Sequence, residues 1–106
     1  MTSEINYSSC DEHVEYKLRS KYCVYSCNQN PDKVCFTGQC VVINDNYGYN
    51  IYRSKKMTNP TYRDIFLLCD KIVEATQDFD HRFFESVSYS HQINEHLHAL
   101  DVFLGS

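Results

Sequence analysis

The chain has 106 residues, of which 42% are hydrophobic, and its net charge is −4. This length suits one domain, and a domain of this size buries roughly two-thirds of its unfolded surface. The apolar fraction argues against a disordered chain. No apolar run approaches the roughly 20 residues of a membrane span, so no membrane association is expected.

The N-terminal segment predicts a polar arm over residues 1–12, followed by a single α+β domain over 13–106. The arm lacks the basic and apolar regions of a signal peptide. We therefore expect a soluble intracellular protein (host cytoplasm or nucleus, or virion, if it is viral) whose six cysteines are reduced. Because six is an even count, a secreted domain with disulfides is the alternative.

The first half of the chain predicts an antiparallel meander of short strands. Side chains alternate between apolar and polar from His13 to Tyr25, with a break near Ser20, which is the pattern of a half-buried strand. Clusters of Asn, Asp, Pro and Gly then mark turns. These turns separate three further strands, at 34–36, 40–44 and 49–55.

A helix is predicted for about residues 61–77. Thr58-Asn59-Pro60 combines a polar cap with a proline at the first helical position. The following apolar residues recur at i, i+3, i+4 and i+7, which leaves one buried face. They are Ile65, Leu68, Cys69 and Ile72.

The C-terminal third predicts further strands. Residues 81–91 alternate in a way that favours a strand over a helix, whereas 90–97 also fits a short helical turn. Residues 97–104 predict a closing strand. The fold class is therefore α+β: an antiparallel β-meander packed on one main helix, with C-terminal strands.

Four cysteines lie within eighteen residues, at Cys23, Cys27, Cys35 and Cys40. Four thiolates meet the ligand count of a structural zinc site, so a zinc-stabilised domain is one interpretation. If 23–27 is one extended strand, however, its end Cα atoms lie about 13 Å apart. Two sulfurs on one zinc ion must be far closer, so this site needs a turn between the first two cysteines.

The same cysteines allow two other interpretations. A hairpin loop at 36–39 places Cys35 opposite Cys40, where the two form a disulfide or a pair of neighbouring thiols. Alternatively, all four are free thiols that pack as small hydrophobic groups. Free thiols are the favoured interpretation, so no cofactor is expected.

Histidines are the next candidates for chemistry, because four lie in the last 26 residues. His96 and His98, if both lie on a strand, point the same way, as metal ligands do. Asp80 is placed to orient His81 as a general base. No nucleophile motif accompanies them, so we expect a protein without enzymatic activity.

Basic residues predict a possible nucleic-acid interface. Lys17, Arg19 and Lys21 alternate, so an extended chain presents all three on one face. Three later basic residues extend this patch in the prediction, with tyrosines available for base stacking. The residues assigned to this alternative function are Lys17, Arg19, Lys21, Arg53, Lys55 and Lys56.

The stretch Asp80-His-Arg-Phe-Phe-Glu85 follows the proline-capped helix and leads to a strand ending in Leu-Gly-Ser106. This arrangement resembles small uncharacterised accessory proteins of phages and large DNA viruses, over about a quarter of the chain. The resemblance implies a non-enzymatic viral protein that acts through its surface. Abundant aromatic surface on a small domain adds the expectation of a homo-oligomer, such as a homodimer, or of a protein partner.

Overall fold

The computed structural model describes residues 14–46 and 50–106. In these ranges the chain forms one helix packed on a single seven-stranded sheet, which confirms the α+β class. The Cα atoms span 40 × 34 × 20 Å, and the short dimension equals one sheet layer plus one helix layer of about 10 Å each. The predicted arm at 1–12 lies outside the described residues.

Along the described segments, five strands precede the helix and two strands follow it. They are β1 Tyr16–Arg19, β2 Val24–Cys27, β3 Gln39–Asn46, β4 Asn50–Arg53, β5 Met57–Thr58, α1 Tyr62–Thr76, β6 Phe83–Asn94 and β7 Leu97–Gly105. No helix in this part of the chain combines the length and apolar character needed to cross a membrane.

Helix α1 agrees with the predicted range of about 61–77. Its N-cap is Thr61 rather than the predicted 58–60 segment: the Thr61 hydroxyl accepts from the Asp64 N–H at 3.1 Å, and the Asp64 carboxylate accepts from the Thr61 N–H at 2.9 Å. This reciprocal capping box satisfies two N–H groups that the first turn leaves unpaired. Gln77 closes the helix in the left-handed conformation, with φ of 60°.

The strand order β1-β2-β6-β7-β3-β4 shows that the predicted antiparallel meander was only partly right. Neighbours in sequence pair antiparallel in β1–β2, β3–β4 and β6–β7, and β5 pairs with β3. However, β2 pairs in parallel with β6, and β3 in parallel with β7. The β6–β7 hairpin therefore lies between the two halves of the predicted meander.

The segment between β2 and β3 explains this insertion. It leaves the sheet and binds the start of α1, because the Cys35 N–H donates to the Pro60 carbonyl and the Arg63 N–H donates to the Pro31 carbonyl, both at 2.7 Å. The strand predicted at 34–36 is thus reduced to one bridge between Val34 and Thr61. The facing edges of β2 and β3 are left free for β6 and β7.

The C-terminal prediction is resolved in favour of strands. The β6 strand continues to Asn94, so the helical turn considered for 90–97 is not formed. The chain reverses at residues 95–96 and returns as β7, which matches the predicted closing strand. Long antiparallel pairing between β6 and β7 makes this hairpin the centre of the sheet.

The hydrophobic core lies between α1 and one face of the sheet. Tyr25, Phe66 and Phe84 form its aromatic centre, with ring centroids 5.1 to 6.4 Å apart. The Tyr25 hydroxyl donates to the Gln29 carbonyl at 2.6 Å, so its buried polar end is satisfied. Aliphatic residues of β3 and β7, including Leu100, complete this layer.

Asp70 explains the predicted break near Ser20. Its carboxylate accepts hydrogen bonds from the Ser20 hydroxyl at 2.8 Å, the Lys21 N–H at 3.0 Å and the Tyr22 N–H at 2.9 Å. These bonds hold the β1–β2 turn against the solvent side of α1. The helix is thereby tied to the edge of the sheet by a polar contact as well as by the core.

Candidate functional site

The sheet has a second face, opposite α1, which we call the open face. Along β7, Leu100 and Val102 belong to the core, so the alternate residues Asp101 and Phe103 point away from the helix. Residues paired across neighbouring strands share a face, which extends the assignment to the whole sheet. The open face includes Lys17, Arg19, Val24, Ser26, Val41, Ile43, Ile51, Arg53, Phe83, Ser86, Ser88, Asp101 and Phe103.

Large apolar side chains are exposed on the open face. Ile51 is 63% exposed, Phe103 48% and Phe83 45%. Phe103 lies beside the short side chain of Ser86, so its ring projects next to a small residue. Phe83 lies beside Gly105, where the Glu85 carboxylate fills the space.

Charged side chains of both signs surround these rings. On β7, Asp101 lies in the middle of the open face, and the Glu85 carboxylate lies where a side chain at position 105 would point. At the β1 margin, Glu15 pairs with Lys17 at 3.8 Å. The open face is therefore not a uniformly basic surface.

The six residues predicted to bind nucleic acid do not form one patch. Lys17 and Arg19 lie on β1 and Arg53 lies on β4, at opposite margins of the sheet. Five strand spacings separate these margins, or about 24 Å. These three residues nevertheless share the open face.

The other three predicted basic residues lie outside the strands. Lys21 follows β1, where its ammonium lies 3.7 Å from the Glu74 carboxylate and 5.1 Å from the centre of the Tyr22 ring. Lys55 and Lys56 lie between β4 and β5 and are exposed. The patch was predicted from the alternation of basic and apolar residues along one strand. That alternation stops after Arg19, where β1 ends.

The cysteines predicted as zinc ligands are free thiols in the structure: Cys23, Cys27, Cys35 and Cys40. Nowhere in residues 14–46 and 50–106 do three or more metal-type ligands converge. Residues 24–27 form β2, as the extended-chain argument assumed. The turn that a shared zinc ion would need is therefore not formed between the first two cysteines.

Cys35 and Cys40 are neighbours, although the predicted hairpin between them is wrong. Cys40 pairs with Met57 and His98, whereas Cys35 bonds to the segment before α1. Burial raises the pKa of the Cys40 thiol, and the nearby Cys35 adds to this effect. Folding of the 28–38 loop thus leaves Cys35 close enough to Cys40 for this electrostatic effect.

Burial also raises the pKa of two further thiols, Cys23 and Cys69, and of the Tyr62 phenol. It raises the pKa of Cys23 to about 12 and that of Tyr62 to about 12. The pKa of Cys69 is raised by burial as well. A thiol becomes a nucleophile only when it ionises, so these cysteines act as packing groups at neutral pH.

The histidines do not combine into one site. His81 is oriented by Asp78, with Nδ1 2.8 Å from Oδ2, and not by the predicted Asp80. His98 lies on β7 with Nδ1 2.9 Å from the Tyr89 hydroxyl, whereas His96 lies in the β6–β7 turn. The predicted alternation of His96 and His98 along one strand is therefore interrupted by the turn.

Sequence reasoning missed the open face. The alternation of Asp101 and Phe103 against Leu100 and Val102 was a usable signal, because it marks a strand with one uncovered side. No match to a protein-family model, a curated protein or a solved structure was found for the chain. The function is therefore argued from the geometry described above.

Proposed function

We propose that this protein is a small non-enzymatic accessory protein that self-associates through the open face of its sheet. The observation that carries the proposal is the exposure of Ile51, Phe83 and Phe103 on this face. Exposed apolar side chains that cluster on one surface are typical of interaction sites. The viral accessory proteins that the chain resembles support the same kind of role.

A symmetric pair of sheets accounts for the alternation of large and small residues at the centre of the face. In a two-fold dimer whose axis runs along the strands, β6 of one copy covers β7 of the other. Phe103 of one copy then faces Ser86 of its partner. The short serine side chain leaves room for the ring, as complementary packing requires.

A concentration series measured by light scattering tests self-association. The expected result is a molar mass that rises from one chain of 12.5 kDa to twice that value as concentration increases. Because an apolar interface weakens on cooling, the association should also be weaker near 4 °C than at room temperature. A constant molar mass of one chain at millimolar concentration contradicts the proposal.

Nucleic-acid binding is the second candidate, and it uses the same surface. Arg19 and Arg53 flank the exposed rings of Phe83 and Phe103, and a sheet with aromatic rings and flanking cations is suited to stacked bases. The acidic Asp101 within the face opposes phosphate binding. Self-association is therefore the preferred function.

Fluorescence anisotropy with a labelled single-stranded oligonucleotide separates the two candidates. Phosphate contacts give an affinity that falls steeply with salt, whereas an apolar dimer interface is strengthened or unchanged by salt. Salt-sensitive binding that is lost in Arg19→Gln but kept in Lys56→Gln supports the nucleic-acid candidate. No binding at 20 mM salt eliminates it.

A further inference from the structure

The pairing of the two parallel central strands, β3 and β7, stops before either strand ends. Pairing between β3 and β7 ends at Ile43 and Asp101. The next residue, Asn44, donates from its side chain to the Val102 carbonyl at 3.1 Å, which replaces a backbone contact. Beyond this point the two halves of the sheet enclose a cleft of about 590 Å³.

This cleft has the size and position of a small-molecule site. Ligand cavities usually measure about 300 to 1,000 Å³, and α/β proteins commonly bind ligands where the carboxyl ends of parallel strands diverge. The apolar part of its lining comes from β3, β4, β7 and α1 and consists of Ile43, Ile51, Ile72, Val102, Phe103 and Leu104.

The polar groups of the cleft select for positive charge. Among the described residues, its lining includes the carboxylates of Asp45, Asp78 and Asp101 but no lysine or arginine. Asp101 is half-buried, and within residues 14–46 and 50–106 no cationic side chain pairs with it. The basic residue in its cross-strand row, Arg53, is two strands away, or about 10 Å.

A half-buried carboxylate without a paired cation can accept a charge-assisted hydrogen bond from a bound cation. Asp101 lies at the centre of β7, between Ser88 on one side and Ile43 on the other. Neither neighbour neutralises its charge. A ligand that supplies a cation at this position neutralises that charge on binding.

His81 adds a second, fixed acceptor to the cleft. Its Nδ1 lies 2.8 Å from Asp78 Oδ2, and a carboxylate only accepts, so Nδ1 carries a proton. In the neutral ring Nε2 is then the acceptor. The other Asp78 oxygen accepts from the Asp80 N–H at 3.2 Å, which holds the carboxylate and therefore the imidazole in place.

We propose that the cleft binds a small organic cation, namely a primary amine attached to an apolar body. The ammonium group pairs with Asp101, while the apolar body contacts Ile43 and Ile51. Four residues that line the cleft also belong to the open face: Ile43, Ile51, Asp101 and Phe103. A dimer through the open face therefore covers part of the cleft, so the amine binds the single chain and self-association competes with it.

An NMR titration with three matched probes tests this proposal. The probes are phenethylamine, 2-phenylethanol and phenylacetate, which share an aromatic body and differ in charge. We expect saturable shifts of amide signals around the cleft with phenethylamine, weaker shifts with the alcohol and none with the acid. Equal binding of all three probes, or no binding at 10 mM, overturns the proposal.

Two aspartate variants supply the matched control. Asp101→Asn removes the charge inside the cleft, whereas Asp80→Asn removes an exposed charge beside it. Phenethylamine affinity should fall about tenfold in the first variant, because a charged acceptor becomes a neutral one, and stay within twofold in the second. An equal loss in both contradicts a specific site. Diffusion coefficients from the same samples report self-association separately.

Discussion

Asp70 is the residue whose replacement tests the folding account most sharply. Its carboxylate accepts three hydrogen bonds from residues 20–22, at 2.8 to 3.0 Å. Hydrogen bonds to a charged group contribute about 1.5 to 3 kcal/mol each where they are shielded, and less at the surface. Asp70→Asn keeps the shape but loses the charge and directs an NH₂ group toward one donor. We expect a loss of about 2 kcal/mol in the free energy of unfolding.

Urea denaturation, monitored by circular dichroism, measures this loss in the free energy of unfolding. Asp32→Asn is the matched control, because Asp32 forms an exposed pair with Arg63 at 3.0 Å. Such surface pairs contribute about 0 to 1 kcal/mol. If the two variants lose the same stability, the Asp70 contacts do not hold the β1–β2 turn as described.

The pH dependence of Asp70 gives an independent check. Burial acts to raise the pKa of its carboxyl, but the hydrogen bonds from Tyr22, Ser20 and Lys21 outweigh it, so the net pKa lies below the ordinary 3.8. The folded chain therefore releases this proton more readily than the unfolded chain. The contribution of Asp70 is complete well above pH 3.8 and is lost as pH falls toward the lower folded pKa. The stability difference between wild type and Asp70→Asn should shrink accordingly; a constant difference contradicts this reasoning.

Three further variants or probes test local features of the fold. Thr61→Ala should lower the free energy of unfolding by about 1 kcal/mol, because it removes the N-cap, whereas Thr58→Ala should change it far less; equal effects contradict the cap assignment. Tyr25→Phe should cost about 1 kcal/mol, measured by urea denaturation, since the hydroxyl loses its bond to the Gln29 carbonyl; no loss contradicts that bond. Cys69, with a pKa raised by burial, should react with a disulfide reagent only on unfolding, and fast reaction in the native protein contradicts its burial.

The local structure of this protein was largely predictable from sequence. The stripe of Ile65, Cys69 and Ile72 located α1, because helical periodicity is set by residues close in sequence. Alternation likewise located β7 and the strand break at Ser20. These features depend on neighbouring residues alone, so one sequence is enough to find them.

The order of the strands was not predictable in the same way. Alternation shows which side of a strand is buried but not which strand lies beside it. The parallel pairing of β3 with β7 joins residues far apart in sequence, and it depends on the 28–38 segment leaving the sheet for the start of α1. The separation of Arg19 from Arg53 follows from this order, as does the cleft beside Asp101.

Sedimentation velocity of three proteins tests the proposed function most directly. Phe103→Glu places a charge at the centre of the open face, and Leu67→Glu places the same charge on the opposite side of the molecule. Leu67 is a suitable control because it is 53% exposed, close to the 48% of Phe103. Both variants should keep the wild-type far-ultraviolet circular dichroism spectrum, since neither side chain lies in the core.

The account predicts that wild type and Leu67→Glu sediment as dimers at about 100 μM, in the range of a moderate interface. It predicts that Phe103→Glu sediments as a single chain of 12.5 kDa under the same conditions. A monomeric wild type, or a Phe103→Glu variant that dimerises as well as Leu67→Glu, contradicts self-association through the open face.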